Sequence, residues 1–475
     1  MAARKKYDLI VIGAGPGGYV ASVRAAQLGL KVACIERHQQ LGGVCLNVGC
    51  IPSKALLDSS EYFYLAKQRL AEHGIRASGV ELDLATLMAR KQQVVAELTE
   101  NVRKLLQGNR IEIVHGFASL LSENVVGVKA GGLHSEDATT AELEAPAIIL
   151  ATGSEPASTP GIVFDGERIV TSTEALSFKA VPGHLAIIGA GYIGLELGSV
   201  WSRLGARVTV LEMMPQIATA LDGQMSRLLQ RILQKQGLQF RLQTRVLKAE
   251  ARADNVLLEL EADGDGSQMD CDRLLVAVGR RPRTGGLNLE QVGIETHPRT
   301  GQVIVDKEFR TTVKHIFAIG DLVQGPMLAH KASAEGIAAV ECLLGMHGAV
   351  NSDAIPSVIY TSPEVASVGL SEEETRRLGL DYCVGTYPFA GSGRARCMGE
   401  TEGLVKIIAE GKTDRVLGVH IIGARASDMI AEAVLAIEFG ASSEDIARSM
   451  HAHPTFAEAM HEAALAVQKC SIYAS

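Results

Sequence analysis

Two stretches of the chain carry one pattern, and that pattern restricts the fold more than anything else in the sequence. Asp8-Leu-Ile-Val-Ile12 leads into Gly13-Ala-Gly15-Pro-Gly-Gly18. A helix-compatible run from Tyr19 to Leu28 follows, then Gly29, then an apolar run from Lys31 to Ile35 that ends at Glu36. His184-Leu-Ala-Ile-Ile188 leads in the same way into Gly189-Ala-Gly191-Tyr-Ile-Gly194, a helix to Leu204, Gly205, and a strand that ends at Glu212. First glycine and closing acid are equally far apart in the two copies, and Leu28-Gly29 matches Leu204-Gly205. Each copy reads as a strand–helix–strand unit with a dinucleotide fingerprint. Its first glycine makes the tight turn, its second lets a pyrophosphate approach the backbone, and its third lets helix and strand pack closely. The helix N-terminus attracts the phosphates, and the acid stands where it can accept hydrogen bonds from an adenosine ribose. A repeat of a whole module predicts an α/β chain with two Rossmann-like dinucleotide-binding domains. Two dinucleotides in one chain point to electron transfer from one to the other.

With 475 residues the chain is long enough for about three domains. Composition is that of a soluble globular protein, and its 49 glycines favour tight turns and phosphate-approaching loops. A net charge of −8 with no long basic stretch argues against nucleic acid. No apolar run is long enough to span a bilayer, so no membrane role is expected. Met1-Ala-Ala-Arg-Lys-Lys6 passes straight into the first strand without a signal-type apolar core, which reads as cytoplasmic. Eight cysteines in a chain of this length are not a disulfide scaffold, and no metal site is expected.

In chain order, residues 59–107 read as helical and 111–149 as strands closing on Ala147-Ile-Ile-Leu-Ala-Thr-Gly153. Residues 237–279 are again strand-rich and close on Leu274-Leu-Val-Ala-Val-Gly-Arg-Arg-Pro282. Val303-Ile-Val-Asp306 and His315-Ile-Phe-Ala-Ile-Gly-Asp321 read as strands, and Met327 to Leu344 as a helix whose N-terminus can face a cofactor. From about 351 the alternation of Ser357-Val-Ile-Tyr-Thr, Leu404-Val-Lys-Ile-Ile-Ala and Val416-Leu-Gly-Val-His-Ile-Ile predicts an antiparallel sheet. Helices are expected at 427–439, 443–449 and 456–468. The domains are therefore placed at 1–155 with a continuation over 281–350, at 156–280, and at 351–475, the last an α+β domain.

Between the first module and the helical stretch lies Leu41-Gly-Gly-Val-Cys-Leu-Asn-Val-Gly-Cys-Ile-Pro-Ser-Lys54. Cys45 and Cys50 can close a disulfide if a helix starts between the two sulfurs, and Pro52 suits an early helical position. By themselves the two cysteines are equally packed thiols or metal ligands. In a reducing compartment a persistent disulfide is usually catalytic. Near the other end, His453-Pro-Thr-Phe-Ala-Glu458 can bring a carboxylate to an imidazole as a helix begins, and an oriented imidazole can take and return a thiol proton.

Taken together, these motifs resemble the pyridine nucleotide-disulfide oxidoreductases over essentially the whole chain, from Asp8 to Glu458. Within that family the chain is most similar to the dihydrolipoamide-oxidising branch, the dehydrogenase component of 2-oxo acid dehydrogenase complexes and of the glycine cleavage system. The resemblance implies an FAD-binding domain at 1–155 and 281–350, an NAD-binding domain at 156–280, and a dimerisation domain at 351–475 that makes a homodimer. It implies that Gly13, Gly15, Gly18, Glu36, Lys54, Ala118, Thr152, Gly153, Asp321 and Ala329 hold FAD, with Ala118 contacting adenine through its backbone and Asp321 the ribityl chain. It assigns Gly189, Gly191, Ile193, Gly194, Glu212, Val246 and Gly279 to NAD. Cys45 and Cys50 become a redox disulfide, with Cys50 at the flavin and Cys45 at the dithiol substrate. Lys54 lies near the flavin and pairs with Glu196, and His453 with Glu458 serves the other subunit's site; His451 is taken as structural. The implied partner is a lipoyl-bearing protein, the E2 component or the H-protein.

Glu212 favours NAD over NADP, since a carboxylate there repels a 2′-phosphate, and Met213 and Met214 supply no arginine for one. That argues against a glutathione reductase-like enzyme. The lone Cys470 argues against a mercuric reductase, and a flavin-binding subunit with a vestigial disulfide is the non-catalytic alternative. Tyr192 departs from the small residue frequent in this branch and is read as a cover over the flavin until nicotinamide arrives. Tyr192→Ala is then expected to change both nicotinamide affinity and turnover, measured by steady-state kinetics; unchanged values would leave the tyrosine a packing residue.

Overall fold

The computed structural model describes residues 4–130 and 141–473, and the chain forms two compact units. One unit comprises Met1–Ala55, Ala85–Ala157 and Gly279–Val350; the other comprises Leu56–Leu84, Ser158–Val278 and Asn351–Ser475.

The first unit is built on a five-stranded parallel sheet. Its order is Ile316–Ala318, Ala147–Leu150, Leu9–Ile12, Val32–Glu36 and Glu112–His115. Apart from Glu112–His115 at the edge, these strands read as near-continuous apolar runs because both sheet faces are covered. Ile10, Ile12, Ile148 and Leu150 enter one hydrophobic cluster, while Leu9, Val11, Ala147 and Ile149 enter another. Helix Pro16–Gln27 packs on the sheet beside helix Ala329–Leu343, and helix Leu84–Gly108 precedes the fifth strand. Pro16 stands at the first helical position, where its missing N–H costs nothing. A four-stranded sheet, Lys5–Lys6, Ala141–Glu144, Val125–Lys129 and Phe117–Ser122, completes this unit.

The second unit repeats the parallel sheet in the order Ile169–Val170, Arg273–Val276, His184–Ile188, Arg207–Leu211 and Gln239–Arg241. Beside it lies an antiparallel three-stranded sheet, Thr244–Ala251, Val256–Ala262 and Asp265–Cys271. The same unit carries a five-stranded antiparallel sheet, Ser357–Ile359, Glu364–Gly369, Val416–Gly423, Leu404–Glu410 and Tyr382–Pro388. Helices Ala426–Glu438, Ser443–Arg448 and Glu458–Val467 follow close to their expected positions, and Ala433, Met460 and Ala463 share that sheet's core. No helix among the described residues is long and apolar enough to cross a membrane.

One expected strand is absent. Val303-Ile-Val-Asp306 forms a single bridge, Thr296 to Val303, rather than a ladder. The alternation is right for a strand, but its backbone is split between two partners, Val303 N–H donating to the Leu322 carbonyl at 2.8 Å and Ile304 N–H to that of Glu295 at 3.0 Å, with turns at either end. His297 accepts the Gly301 N–H through its carbonyl at 2.8 Å, and Asp306 uses its carboxylate to receive the N–H groups of Glu308 and Arg310 at 2.8 and 2.9 Å. The predicted helix from Met327 begins two residues later, at Ala329.

A buried ion cluster ties the nucleotide module of the second unit to its antiparallel sheet. Lys406, 1% exposed, places Nζ 2.8 Å from Asp222 and 2.6 Å from Glu372. Asp222 also caps helix Gly223–Lys235 by accepting the Gln224 N–H and receives the Glu372 N–H, at 3.0 and 3.1 Å. Burial alone would push the Asp222 carboxyl up, but Lys406 and these donors hold it below the usual carboxylate range. A folded-state pKa below the unfolded one gives stability that is present at neutral pH and lost as acid protonates the group. Lys406→Met leaves the charge on Asp222 buried and without its cation. The expected cost is about 3–5 kcal/mol in chemical denaturation at neutral pH, shrinking as pH falls below about 4.

Candidate redox site

The two fingerprints superimpose down to individual hydrogen bonds. Gly13 (φ +107°) and Gly189 (φ +99°) turn the chain where a Cβ would lie 2.3 Å from the Ala151 carbonyl oxygen and 2.5 Å from that of Ala277. A Cβ on Gly18 would meet the Gly13 oxygen at 1.8 Å, and one on Gly194 would meet the Gly189 oxygen at 2.1 Å. Only hydrogen fits at these four places. The middle glycines differ in kind: a Cβ on Gly191 would meet nothing within 4 Å, and one on Gly15 only Gly43, at 3.9 Å. They border open space, which is what a pyrophosphate needs to reach the helix N-terminus. Glu36 accepts the Ala14 and His38 N–H groups at 3.0 and 3.1 Å; Glu212 accepts those of Ala190 and Met214 at 2.8 and 2.9 Å. Both carboxylates are fixed by backbone N–H groups of their own cradle, so the residues fit two dinucleotides.

Ala118 and Val246 occupy like positions, each on the first antiparallel strand after the fifth parallel one. Their side chains belong to the hydrophobic core, and each pairs in an antiparallel ladder, Ala118 with Val128 and Val246 with Leu260. Ile193 follows Tyr192 in the first turn of helix Tyr192–Leu204, and Gly279 adopts φ +117° at the end of the second module. Glu196 is buried on that helix, and its Oε1 accepts the Tyr360 N–H at 3.0 Å.

The cysteines are set by three glycines. Gly42 and Gly43 have φ of +92° and +61° and start a short helix, Gly43–Val48, that carries Cys45. Gly49 breaks it, and a second helix, Cys50–Gln68, begins at Cys50. A Cβ on Gly49 would lie 2.8 Å from the Val44 oxygen, so the break is as tight as backbone allows. Asn47 pins the stretch by donating to the carbonyls of Leu41 and Gly43 at 2.9 and 2.8 Å. The two residues are present as thiols, Cys45 half-buried and Cys50 exposed, with a hydrogen bond between the sulfurs. That bond, and then burial, raises the Cys45 thiol well above its ordinary value, while Lys54 one turn on opposes the shift. Two neighbouring thiols are what exchange with a disulfide requires.

In the same unit, Asp321 sits in a turn, Gly320–Leu322, just after the edge strand of the first sheet. Thr152 donates to the Arg283 carbonyl at 2.7 Å, Gly153 takes φ +71°, and Ser154 donates its hydroxyl to Asp321. Helix Ala329–Leu343 starts next to this turn and reaches it through Lys331 and Glu335. Burial pushes the Glu335 carboxyl up, against the pull of Lys331.

In the second unit His453 and Glu458 form a dyad. Nδ1 of His453 lies 2.8 Å from Glu458 Oε1, and Glu458 Oε2 accepts the Thr455 N–H at 2.8 Å. Burial works against the Glu458 carboxylate, but the Thr455 amide and His453 outweigh it and hold the pKa below the ordinary value. An ionised Glu458 favours the proton on Nδ1, which turns Nε2 of the exposed imidazole outward as the nitrogen able to accept one. His451, by contrast, is spanned by Glu432 at 2.8 Å and the Ser449 carbonyl at 2.9 Å, and the Glu432 carboxylate raises its pKa.

Residues 7–336 match the family model of the pyridine nucleotide-disulphide oxidoreductases, and residues 355–464 match that family's dimerisation domain. The chain belongs to the pyridine nucleotide-disulphide oxidoreductases. Among relatives, dihydrolipoyl dehydrogenase 3 of Pseudomonas aeruginosa is 50% identical over 467 residues, 98% of either chain. The mitochondrial dihydrolipoyl dehydrogenase of Pisum sativum is 47% identical over 461 residues, 97% of this chain and 91% of the relative. The crystal structure of LpdA from Mycobacterium tuberculosis overlays with a TM-score of 0.88 at 26% identity, covering 96% of this chain and 99% of that one.

Family membership explains why the dithiol and the fingerprints travel together, and it draws attention to what the sequence motifs left out. Ser154 and Arg280 were not singled out; Arg280 donates to Ser154 from the strand Arg280–Pro282. The doubled Arg280-Arg281 at the second closure was the available signal, because an arginine beside a glycine turn has a rigid fork to place. Gly49 generates a direct test. Gly49→Ala must push the Val44 carbonyl away and spread the cysteine-bearing helices. Equilibration with a dithiol buffer is expected to show Cys45–Cys50 closure disfavoured by about tenfold, which is about 1.4 kcal/mol.

Proposed function

We propose that this chain is a homodimeric dihydrolipoyl dehydrogenase, which oxidises the dihydrolipoamide of a lipoyl-bearing E2 component or H-protein and reduces NAD⁺. The observation that carries this reading is a hydrogen-bonded dithiol on a chain with two dinucleotide cradles, in a sequence that shares about half its residues with dihydrolipoyl dehydrogenases along nearly its whole length. When bound, FAD supplies the two-electron acceptor for the dithiol, and NAD⁺ supplies the hydride acceptor beyond it.

The chain's own part is thiol chemistry. Nε2 of His453 takes the proton of one substrate thiol. The thiolate attacks Cys45 Sγ in the oxidised enzyme; the new S–S bond forms as the Cys45–Cys50 bond breaks, and Cys50 leaves as a thiolate. The second substrate thiol then displaces Cys45, which regains a proton through His453. Lipoamide departs as a disulfide, and its two electrons stay on the dithiol. Lys54 stabilises the negative sulfur, and Glu458 holds the imidazole in the right tautomer. Glu196 is the proposed partner of Lys54. FAD falls to the cradle from Gly13 to Glu36 with Asp321, and NAD to the cradle from Gly189 to Glu212. The three-domain division at 155, 280 and 350, and a cytoplasmic setting that keeps the dithiol reduced, are part of this reading.

Stopped-flow turnover of dihydrolipoamide with NAD⁺ tests it. Cys45→Ser is expected to abolish turnover, and His453→Gln to reduce it by about 10²–10⁴-fold. Normal turnover in Cys45→Ser, or a preference for glutathione disulfide with NADPH, would overturn the assignment.

A further inference from the structure

Asp321 is held from two sides by independent sets of residues. Its backbone is clamped from below. The Gly320 N–H donates to Glu335 Oε2 at 2.7 Å, and the Gly320 carbonyl accepts from Lys331 Nζ at 3.3 Å. Lys331 and Glu335 pair at 2.7 Å on one face of helix Ala329–Leu343, with side chains 4% and 5% exposed. Its carboxylate is reached from above by a different route. Strand Arg280–Pro282, which brings the chain back to the first unit, pairs antiparallel with Ser154–Pro156. Arg280 donates Nε to Ser154 Oγ at 2.8 Å and Nη2 to the Ser154 carbonyl at 2.9 Å. Ser154 is 2% exposed, and its hydroxyl donates to Asp321 Oδ2.

A serine hydroxyl has one hydrogen to give and lone pairs to receive. The guanidinium occupies the receiving side, and its rigid fork, anchored on the carbonyl of the same residue, cannot swing away. The hydrogen is therefore directed at Asp321. Without Arg280, the hydroxyl loses the partner that fixes its direction, and the carboxylate loses its positioned donor. The backbone clamp from Lys331 and Glu335 stays in place.

We infer that Arg280 is a positioning residue for the flavin: through Ser154 it fixes the Asp321 carboxylate so that Oδ1 accepts a hydroxyl of the ribityl chain. This rests on the reading of the first module as the FAD site. Arg281, next in the chain, points elsewhere and pairs with Glu155 at 2.8 Å on the surface, so it serves as the control.

The test follows FAD loss from the purified full-length holoenzyme, read as the rise in flavin fluorescence on dilution. Arg280→Met is expected to weaken FAD retention by about tenfold, the worth of an ordered hydrogen bond to a charged group. Ser154→Ala is expected to match it, Arg281→Met to leave retention unchanged, and Arg280→Lys to fall between. In an Asp321→Asn background Arg280→Met is expected to add little, because its route to the flavin is already cut. Should Arg280→Met fail to fold, Arg280→Lys carries the same comparison. Undiminished FAD retention in the Arg280 variants, or an effect as large in Asp321→Asn as in the parent, would overturn the inference. A parent protein that holds no FAD would sink the flavin reading itself.

Discussion

The dithiol is placed by two glycines that touch. A Cβ on Gly43 would lie 2.7 Å from Gly15 Cα, and the Gly42 N–H donates to the Ala14 carbonyl at 2.9 Å. The phosphate-approaching turn of the first fingerprint and the start of the cysteine stretch are therefore packed backbone to backbone. No side chain intervenes whose rotamer could loosen the fit. Electron transfer between a sulfur and a cofactor ring requires fixed geometry, and a backbone contact fixes it better than any side-chain contact. Everything downstream follows from that anchor: the short helix holding Cys45, the tight break at Gly49, and the longer helix that starts at Cys50 and carries Lys54.

The second module makes the same contact without the cysteines. The Ala218 N–H donates to the Ala190 carbonyl at 2.8 Å, as Gly42 does to Ala14, and Ala218 itself has φ +43°. Ala218 stands at the same offset from its fingerprint as Gly42 does from the first. The repeat thus extends beyond the glycines and acids to a loop that returns beneath the turn. In the first module that loop carries the two cysteines; in the second it keeps the path of the backbone alone.

Much of this was legible in the sequence, for a physical reason. The glycines, the closing acids and the paired cysteines act through their nearest neighbours in the chain, and local constraints leave local patterns. His453 and Glu458 belong to the same class, since a turn and the first residue of a helix bring them together. What stayed hidden was made by distance. Ser154, Arg280 and Asp321 lie far apart in sequence, and none has a meaning without the others. Val303-Ile-Val-Asp306 shows the opposite failure: its alternation was visible, but whether a neighbouring strand would pair with it was not. The buried cluster of Lys406, Asp222 and Glu372 was equally silent, because a lysine in an alternating strand reads as solvent-facing until its partners are known.

The two parallel sheets differ in one strand, and that difference accounts for the discontinuity of the first unit. In the second sheet the strand beside the closing strand is Ile169–Val170, which precedes its fingerprint in the chain. In the first sheet the corresponding strand is Ile316–Ala318, which is made only after the whole second module. The first sheet stays open on that edge until the chain has passed through the second module and returned. What returns is more than an edge strand. The same passage brings Arg280, then Ile316–Ala318, then Asp321 and the helix bearing Lys331 and Glu335. The carboxylate assigned to the ribityl chain and every residue that holds it except Ser154 therefore arrive on the segment that closes the sheet. Completion of the first core and completion of its cofactor site are one structural event.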